Sequence, residues 1–72
     1  MAKLKTKIHD LRKDRNMQQA ELAKLVEVRR ETIVNLENGK YNPSLKLAMD
    51  IAKVFGKSVE DVFWFEADDD GE

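Results

Sequence analysis

A short polar segment, Arg29 to Lys40, holds the side chains of this sequence whose types and spacing could do chemistry. If it is a helix, each residue turns about 100° from the last, so Ile33 and Leu36 fall on one side. The residues that share the opposite side are Arg30, Glu31, Val34 and Asn35. Guanidinium, carboxylate and amide groups pair with the edges of guanine, cytosine and adenine, and a valine methyl can touch thymine. The segment therefore predicts a helix that could read base edges.

This helix cannot be stable alone in water, so other elements must position it. The apolar periodicity predicts four more helices. They run from about Lys7 to Arg15, from Gln18 to Leu25, from Ser44 to Phe55, and onward from Ser58. Only three residues separate the second helix from the Arg29 helix, and so short a linker forces a steep crossing, as in a helix-turn-helix. The buried stripe expected on the fourth helix is Leu45, Ala48, Ile51, Ala52 and Phe55.

The two ends of the sequence favour a different local structure. Phe63, Trp64 and Phe65 are consecutive aromatics, and no helix buries three residues in a row. Part of this run should therefore face a partner or form a short strand; burial in the core of one protomer is the alternative. Leu4, Thr6 and Ile8 alternate with lysines, so the N-terminus could pair with it. Residues 67–72 are acidic, and we expect a disordered tail there.

Composition limits the class of protein. The net charge of −1 argues against a nucleic-acid partner, but residues 1–40 hold ten Lys/Arg against six Asp/Glu, while residues 41–72 hold three against eight. The N-terminal half is therefore basic, at +4, and the remainder is at −5. There is no cysteine and no apolar run long enough to span a membrane. No apolar run follows the basic start, so we expect no signal peptide. We expect a soluble, cytoplasmic protein of one small domain, with no metal and no cofactor.

An enzyme is not expected from this inventory of side chains. The sequence has one histidine, two serines that both lie at predicted helix starts, and no glycine-rich phosphate loop. His9 has no ligand or nucleophile partner nearby in the sequence, so we expect an exposed helix residue. A chain of 72 residues also leaves little room for a deep pocket.

Four segments, Q-A-E-L-A, V-R-R-E-T-I, L-E-N-G-K and N-P-S-L, occur in this order and at characteristic spacings. Together they resemble the lambda-repressor-like helix-turn-helix family of the phage repressor, Cro and xenobiotic-response-element type, over about residues 4–65. The similarity is greatest to small stand-alone bacterial regulators, which are dimers. It implies an all-α, five-helix DNA-binding domain over residues 1–65, with the helix-turn-helix at about 18–38. Some members carry a short β extension, which suits the aromatic run.

The resemblance also implies roles for individual residues. The base-reading face would be Arg30, Glu31, Thr32, Val34 and Asn35, and the DNA phosphates would be held by Gln19, Arg29, Asn38 and Lys40. Arg12 and Glu37 match a buried ion pair that ties the first helix to the end of the recognition helix. A surface ion pair that contributes little to stability is the alternative.

Three residues depart from the family pattern. Glu27 stands where the turn is usually glycine, so it must adopt an unusual backbone angle or the turn must shift. Arg29 and Gln18 replace the usual N-caps of two helices, at a cost of about 1 kcal/mol each. For Arg29, a phosphate contact would offset the missing cap.

The function that we expect is sequence-specific binding of double-stranded DNA by a homodimer that recognises a pseudo-palindromic operator and represses transcription. The dimer surface would be a segment at about 58–66 that includes Val59, Val62, Phe63, Trp64 and Phe65. No small-molecule ligand is expected. The alternative is an antitoxin, or another protein-interaction module that uses the helix-turn-helix mainly as a scaffold.

Overall fold

The computed structural model describes residues 2–67. The elements are β1 (Ala2–Thr6), α1 (Ile8–Asp14), α2 (Gln19–Leu25), α3 (Arg30–Glu37), α4 (Leu45–Val54), α5 (Val59–Val62) and β2 (Phe63–Ala67). Five helices with one two-stranded sheet confirm the predicted fold class. The predicted helices are correct in number and order, and each of the first four begins one residue later than the sequence suggested.

One hydrophobic core holds the helices together. Its largest fully buried side chains are Ile8, Leu22, Ile33, Leu36, Ile51 and Val62, which come from all five helices. α2 and α3 pack against each other more extensively than any other pair of helices. Each helix is too short to be stable alone, so this shared burial is what stabilises them.

The prediction for the fourth helix is wrong at Leu45. Its side chain is 73% exposed, whereas Leu47 is 6% exposed and belongs to the core. Leu45 is the first residue of α4, about 90° around the helix from the centre of the stripe formed by Ala48, Ile51 and Phe55. Ala52, about 20° from Leu45 around the helix, is buried, so Leu45 is exposed because it lies in the first turn of α4, at the edge of the core.

The predicted ribbon between the two ends of the domain is present. β1 and β2 are antiparallel, with Leu4 opposite Phe65 and Thr6 opposite Phe63. The fifth helix is a single turn, because the chain becomes extended at Phe63 and continues as β2 to Ala67. The rest of the expected disordered tail, residues 68–72, lies outside the described part of the chain.

Four helices end in the same way, with the residue after the C-cap in the left-handed region. These residues are Asn16, Glu27, Gly39 and Gly56, with φ of 53°, 60°, 72° and 65°. After each one, the next backbone N–H turns back to a carbonyl of the last helical turn, as when Val28 donates to Ala23 at 2.9 Å. Glu27 thus tolerates the unusual backbone angle, and the turn is not shifted.

The N-termini of the helices differ in how they are capped. Gln18 and Arg29 have extended backbones and make no side-chain capping hydrogen bond. In contrast, the Ser44 hydroxyl accepts from the N–H of Leu47, and Ser58 forms a capping box with Asp61. Hydrogen bonds from the Ser58 side chain and backbone hold the pKa of the Asp61 carboxyl below its usual value of 3.8. Side-chain caps are therefore present on α4 and α5, whereas α1, α2 and α3 lack them.

Candidate nucleic-acid interface

The outer face of α3 is a solvent-facing polar surface. Arg30, Glu31 and Asn35 are exposed, and Thr32 and Val34 are half-buried beside them. Ile33 and Leu36, on the other side of the helix, have no exposed surface. The burial follows the helical wheel predicted from the sequence, so the five residues expected to read bases share one accessible face.

Close packing against β1 fixes the end of α3. Gly39 has a φ of 72°, and a Cβ atom built there would lie 2.8 Å from the carbonyl oxygen of Leu4. Backbone strain and contact with another backbone both exclude a side chain at this position. The next residue, Lys40, donates its N–H to the carbonyl of Asn35 at 2.9 Å. The C-terminus of α3 is therefore held by β1.

A buried ion pair holds α3 to α1. The Arg12 Nε lies 2.6 Å from Glu37 Oε2, and its Nη2 donates to Oε1 at 3.0 Å. Both side chains are 8% exposed, so this is not the surface pair that the sequence left open. The third donor of Arg12, Nη1, reaches the carbonyl of Met17 at 2.9 Å, in the connection that leads to α2. One guanidinium on α1 thus contacts two other segments of the chain.

Gln19 joins the same network from the first position of α2. Its Nε2 donates to Glu37 Oε1 at 3.2 Å, and its side chain is half-buried. An amide nitrogen carries two hydrogens, so one remains for a phosphate oxygen. The other three residues expected to contact phosphates, Arg29, Asn38 and Lys40, are exposed at the two ends of α3.

His9 has partners that the sequence analysis missed. Its Nδ1 lies 3.3 Å from Arg12 Nη2 and 3.7 Å from Glu37 Oε1. We considered only ligand and nucleophile partners for His9, and a contact with an arginine was not expected. His9 is three residues before Arg12 and so is its neighbour on the helix surface. That spacing was the available signal. The exposure that we expected is correct, since 61% of the His9 side chain is accessible.

Arg15 was also missed, and it ties α1 to the end of α4. Its guanidinium donates to the carbonyl of Val54 at 2.8 Å and to that of Phe55 at 3.2 Å. The same group lies over the ring of Phe55, 5.2 Å from its centre. These contacts satisfy carbonyls that a helix C-terminus leaves unpaired. Nothing in the local sequence signals them, because the partners are about 40 residues away.

Burial changes the expected dimer surface. Val62 has no exposed surface and Phe63 is 7% exposed, since both cover the core of a single protomer. These two residues are therefore corrected from dimer surface to core. Phe65 is 59% exposed, and Val59 and Trp64 are half-buried. The part of the aromatic run that remains available to a partner is Trp64 and Phe65.

Among residues 2–67, every helix is too short or too polar to cross a lipid bilayer.

Comparison with known proteins gives consistent results. A family model described as helix-turn-helix matches residues 8–62. An uncharacterized HTH-type transcriptional regulator of Archaeoglobus fulgidus is 58% identical over 66 residues, which cover 92% of this chain and 93% of that protein.

Two solved structures have a domain that superposes on this chain. The transcriptional regulator VanUg superposes with a TM-score of 0.77 and 24% identity, over 93% of this chain and 89% of its own, and so shares the fold. Hydroxypropylphosphonic acid epoxidase from S. wedmorenis matches 75% of this chain, with a TM-score of 0.67 and 33% identity, but only 29% of the enzyme is covered. The similarity to the epoxidase is thus confined to a domain-sized part of it.

Proposed function

Because the chain belongs to the lambda-repressor-like helix-turn-helix family and is a DNA-binding regulator of transcription, we propose that it represses transcription as a homodimer on a pseudo-palindromic operator. The observation that carries this proposal is the accessible polar face of α3, supported from behind by fully buried Ile33 and Leu36. A rigid helix with such a face fits the major groove of B-form DNA.

The base-reading residues would divide the work by chemistry. The Arg30 guanidinium suits the two acceptors of guanine, and the Asn35 amide suits the acceptor and donor of adenine. Val34 offers a methyl group to thymine, and Thr32 can donate or accept at its side. Glu31 would accept from the amino group of cytosine. All five side chains belong to two turns of one helix, so a single protomer reads few base pairs.

Phosphate contacts would set the register of the helix in the groove. Arg29 and Lys40 are exposed cations at opposite ends of α3, and Gln19 and Asn38 supply neutral donors. Such contacts carry no sequence information, but they orient the protein on the duplex and release counterions. Arg29 is the N-cap residue of α3 and makes no capping hydrogen bond, so its side chain would be free to contact a phosphate.

A homodimer is proposed because one short helix cannot specify a long site. Two copies related by a two-fold axis would place recognition helices about one DNA turn apart. Phe65, exposed on the ribbon, and its half-buried neighbour Trp64 are apolar groups that a second copy would cover, with Val59 at the edge. Repression then requires only occupancy of a promoter.

Replacement of Arg30 by alanine tests the base-reading assignment. We expect a loss of about 1–3 kcal/mol in binding free energy for the preferred site, with nearly unchanged binding to random duplex, because a base contact is lost. Affinities would be measured for both duplexes at one salt concentration. Lys57→Ala, in the connection between α4 and α5, is the matched control. It should change the affinities for the preferred and random duplexes by the same factor. Equal losses on both duplexes for Arg30→Ala would show that Arg30 does not read bases.

A further inference from the structure

A cationic cleft opens between α1, the start of α2 and α3. It is lined by side chains from all three helices, including His9, Lys13, Gln19 and Arg30, with Arg12 at its base. No aspartate or glutamate is among the described residues that line it. The Glu37 carboxylate that contacts Arg12 is 8% exposed and lies behind the cleft. The lining thus presents positive charges and hydrogen-bond donors, which suits an anion.

The contact between Arg12 and His9 fixes the form of the imidazole ring. An arginine can only donate, so His9 Nδ1, 3.3 Å from Arg12 Nη2, must be the acceptor and carry no proton. The distance of 3.7 Å from Nδ1 to Glu37 Oε1 is too long for a competing hydrogen bond. In the neutral ring the proton is then on Nε2. Because the side chain is 61% exposed, this N–H is available as a donor.

Gln19 is oriented by the same carboxylate. Its Nε2 donates one hydrogen to Glu37 Oε1, which leaves the second hydrogen free on the side of the cleft that Gln19 lines. Two neutral donors, one from α1 and one from α2, therefore depend on a single buried ion pair for their orientation. A phosphate oxygen accepts hydrogen bonds and is anionic, so it matches both the donors and the charge of the cleft.

We propose that His9 is a DNA-backbone contact of this protein, which donates its Nε2–H to a phosphate oxygen in the cleft beside the Gln19 amide. The proposal rests on the DNA-binding function stated above. Arg12 acts as a positioning residue, because it selects the tautomer of His9 that can donate. Glu37 holds Arg12 and Gln19 in turn. The buried ion pair thus orients the residues that contact the DNA backbone and also joins two helices.

Two substitutions separate the donor from the bulk of the side chain. His9→Leu removes the donor and keeps an apolar group of similar size, whereas His9→Gln keeps an N–H near the position of Nε2. Duplex binding would be measured at pH 8, where histidine is ordinarily uncharged. We expect His9→Leu to weaken binding about 2- to 10-fold, equally on preferred and random duplexes, because a phosphate contact carries no sequence information. His9→Gln should stay within about twofold of the wild-type protein.

A modification of the DNA distinguishes a direct phosphate contact from a purely structural role of His9. Single phosphates of the duplex are replaced one at a time by neutral methylphosphonates. At one linkage in each half-site, the methylphosphonate should weaken binding by the wild-type protein more than binding by His9→Leu. The losses from the DNA change and from the protein change then do not add. The melting temperatures of both His9 variants check that substitution at this exposed position leaves the fold intact.

The outcomes distinguish this proposal from the function on which it rests. If the wild-type protein binds duplex DNA but His9→Leu binds equally well, or if the losses add at every linkage, the role of His9 is wrong and DNA binding stands. If the wild-type protein binds no duplex at all, the DNA-binding function itself is wrong.

Discussion

The buried pair of Arg12 and Glu37 connects more of the molecule than any other described side-chain contact. It joins α1 to α3 directly, reaches the connection before α2 through the Met17 carbonyl, and orients Gln19. Charges buried in this way have given up hydration, and each compensates the other. Loss of one partner should therefore cost much more than loss of both.

Glu37→Gln tests this dependence with almost no change in shape. We expect the free energy of unfolding to fall by about 3–5 kcal/mol, because the Arg12 charge stays buried without its counterion. The double variant Arg12→Met with Glu37→Leu should cost less than the sum of the single changes, since no buried charge remains. Urea unfolding followed by circular dichroism gives these values.

The exposed pair of Lys46 and Asp50, 2.7 Å apart on α4, is the matched control. Its removal should leave the unfolding midpoint nearly unchanged, because exposed pairs contribute little. Strict additivity of the two changes at Arg12 and Glu37 would show that the buried charges are not coupled.

At the residue scale, what the sequence could predict depended on distance along the chain. The faces of α3 follow from helical periodicity alone, and Ile33 and Leu36 are buried as the wheel requires. The burial of Val62 and Phe63 depends on how the ribbon packs over the core, and no local sequence pattern predicts this packing. Arg15 was missed for the same reason, since its partners are at the end of α4.

At the scale of elements, the helix-turn-helix is held by packing rather than by local signals. α2 and α3 lack side-chain N-caps, and the turn between them contains Glu27 in the left-handed region. A residue with a Cβ in this conformation loses about 1 kcal/mol relative to glycine. The element that carries the interface is thus locally strained, and burial of Leu22, Ile33 and Leu36 offsets this cost.

Glu27→Gly should therefore stabilise the protein. We expect the free energy of unfolding to rise by about 0.5–1 kcal/mol, because relief of the left-handed strain exceeds the added entropy of glycine in the unfolded chain. Asn16→Gly is the matched case at another left-handed position, and its gain should be smaller because asparagine tolerates this region better. Lys24→Gly, inside α2, should instead cost about 1 kcal/mol. A lower melting temperature for Glu27→Gly would contradict the claim that Glu27 is strained.

The elements themselves were largely predictable, and the exceptions have physical causes. Turn residues and apolar spacing located all five helices, and alternation in the first residues indicated the ribbon. The register of the ribbon, with Leu4 opposite Phe65, was not predictable, because it pairs residues at opposite ends of the described chain. The exposure of Leu45 depends on where along α4 the core ends, which helical periodicity does not predict.

At the scale of the whole molecule, charge and exposed apolar surface divide along the chain. Residues 1–40 carry a net charge of +4 and include α3, whereas residues 41–72 carry −5. Most of this acidic excess is in residues 68–72, because residues 41–67 hold three lysines against four Asp/Glu. The positive charge of the N-terminal part would attract the DNA backbone. Phe65 is exposed on β2, an element separate from α3.

The central claim is that two copies of this domain each read a short sequence with α3. Selection of bound sequences from a pool of random duplexes by the purified wild-type protein tests it most directly. The claim predicts enrichment of a pseudo-palindrome whose half-sites are centred about one helical turn apart. Enrichment of a single asymmetric site would contradict the dimer, and a pool that stays random at moderate ionic strength would contradict sequence reading altogether.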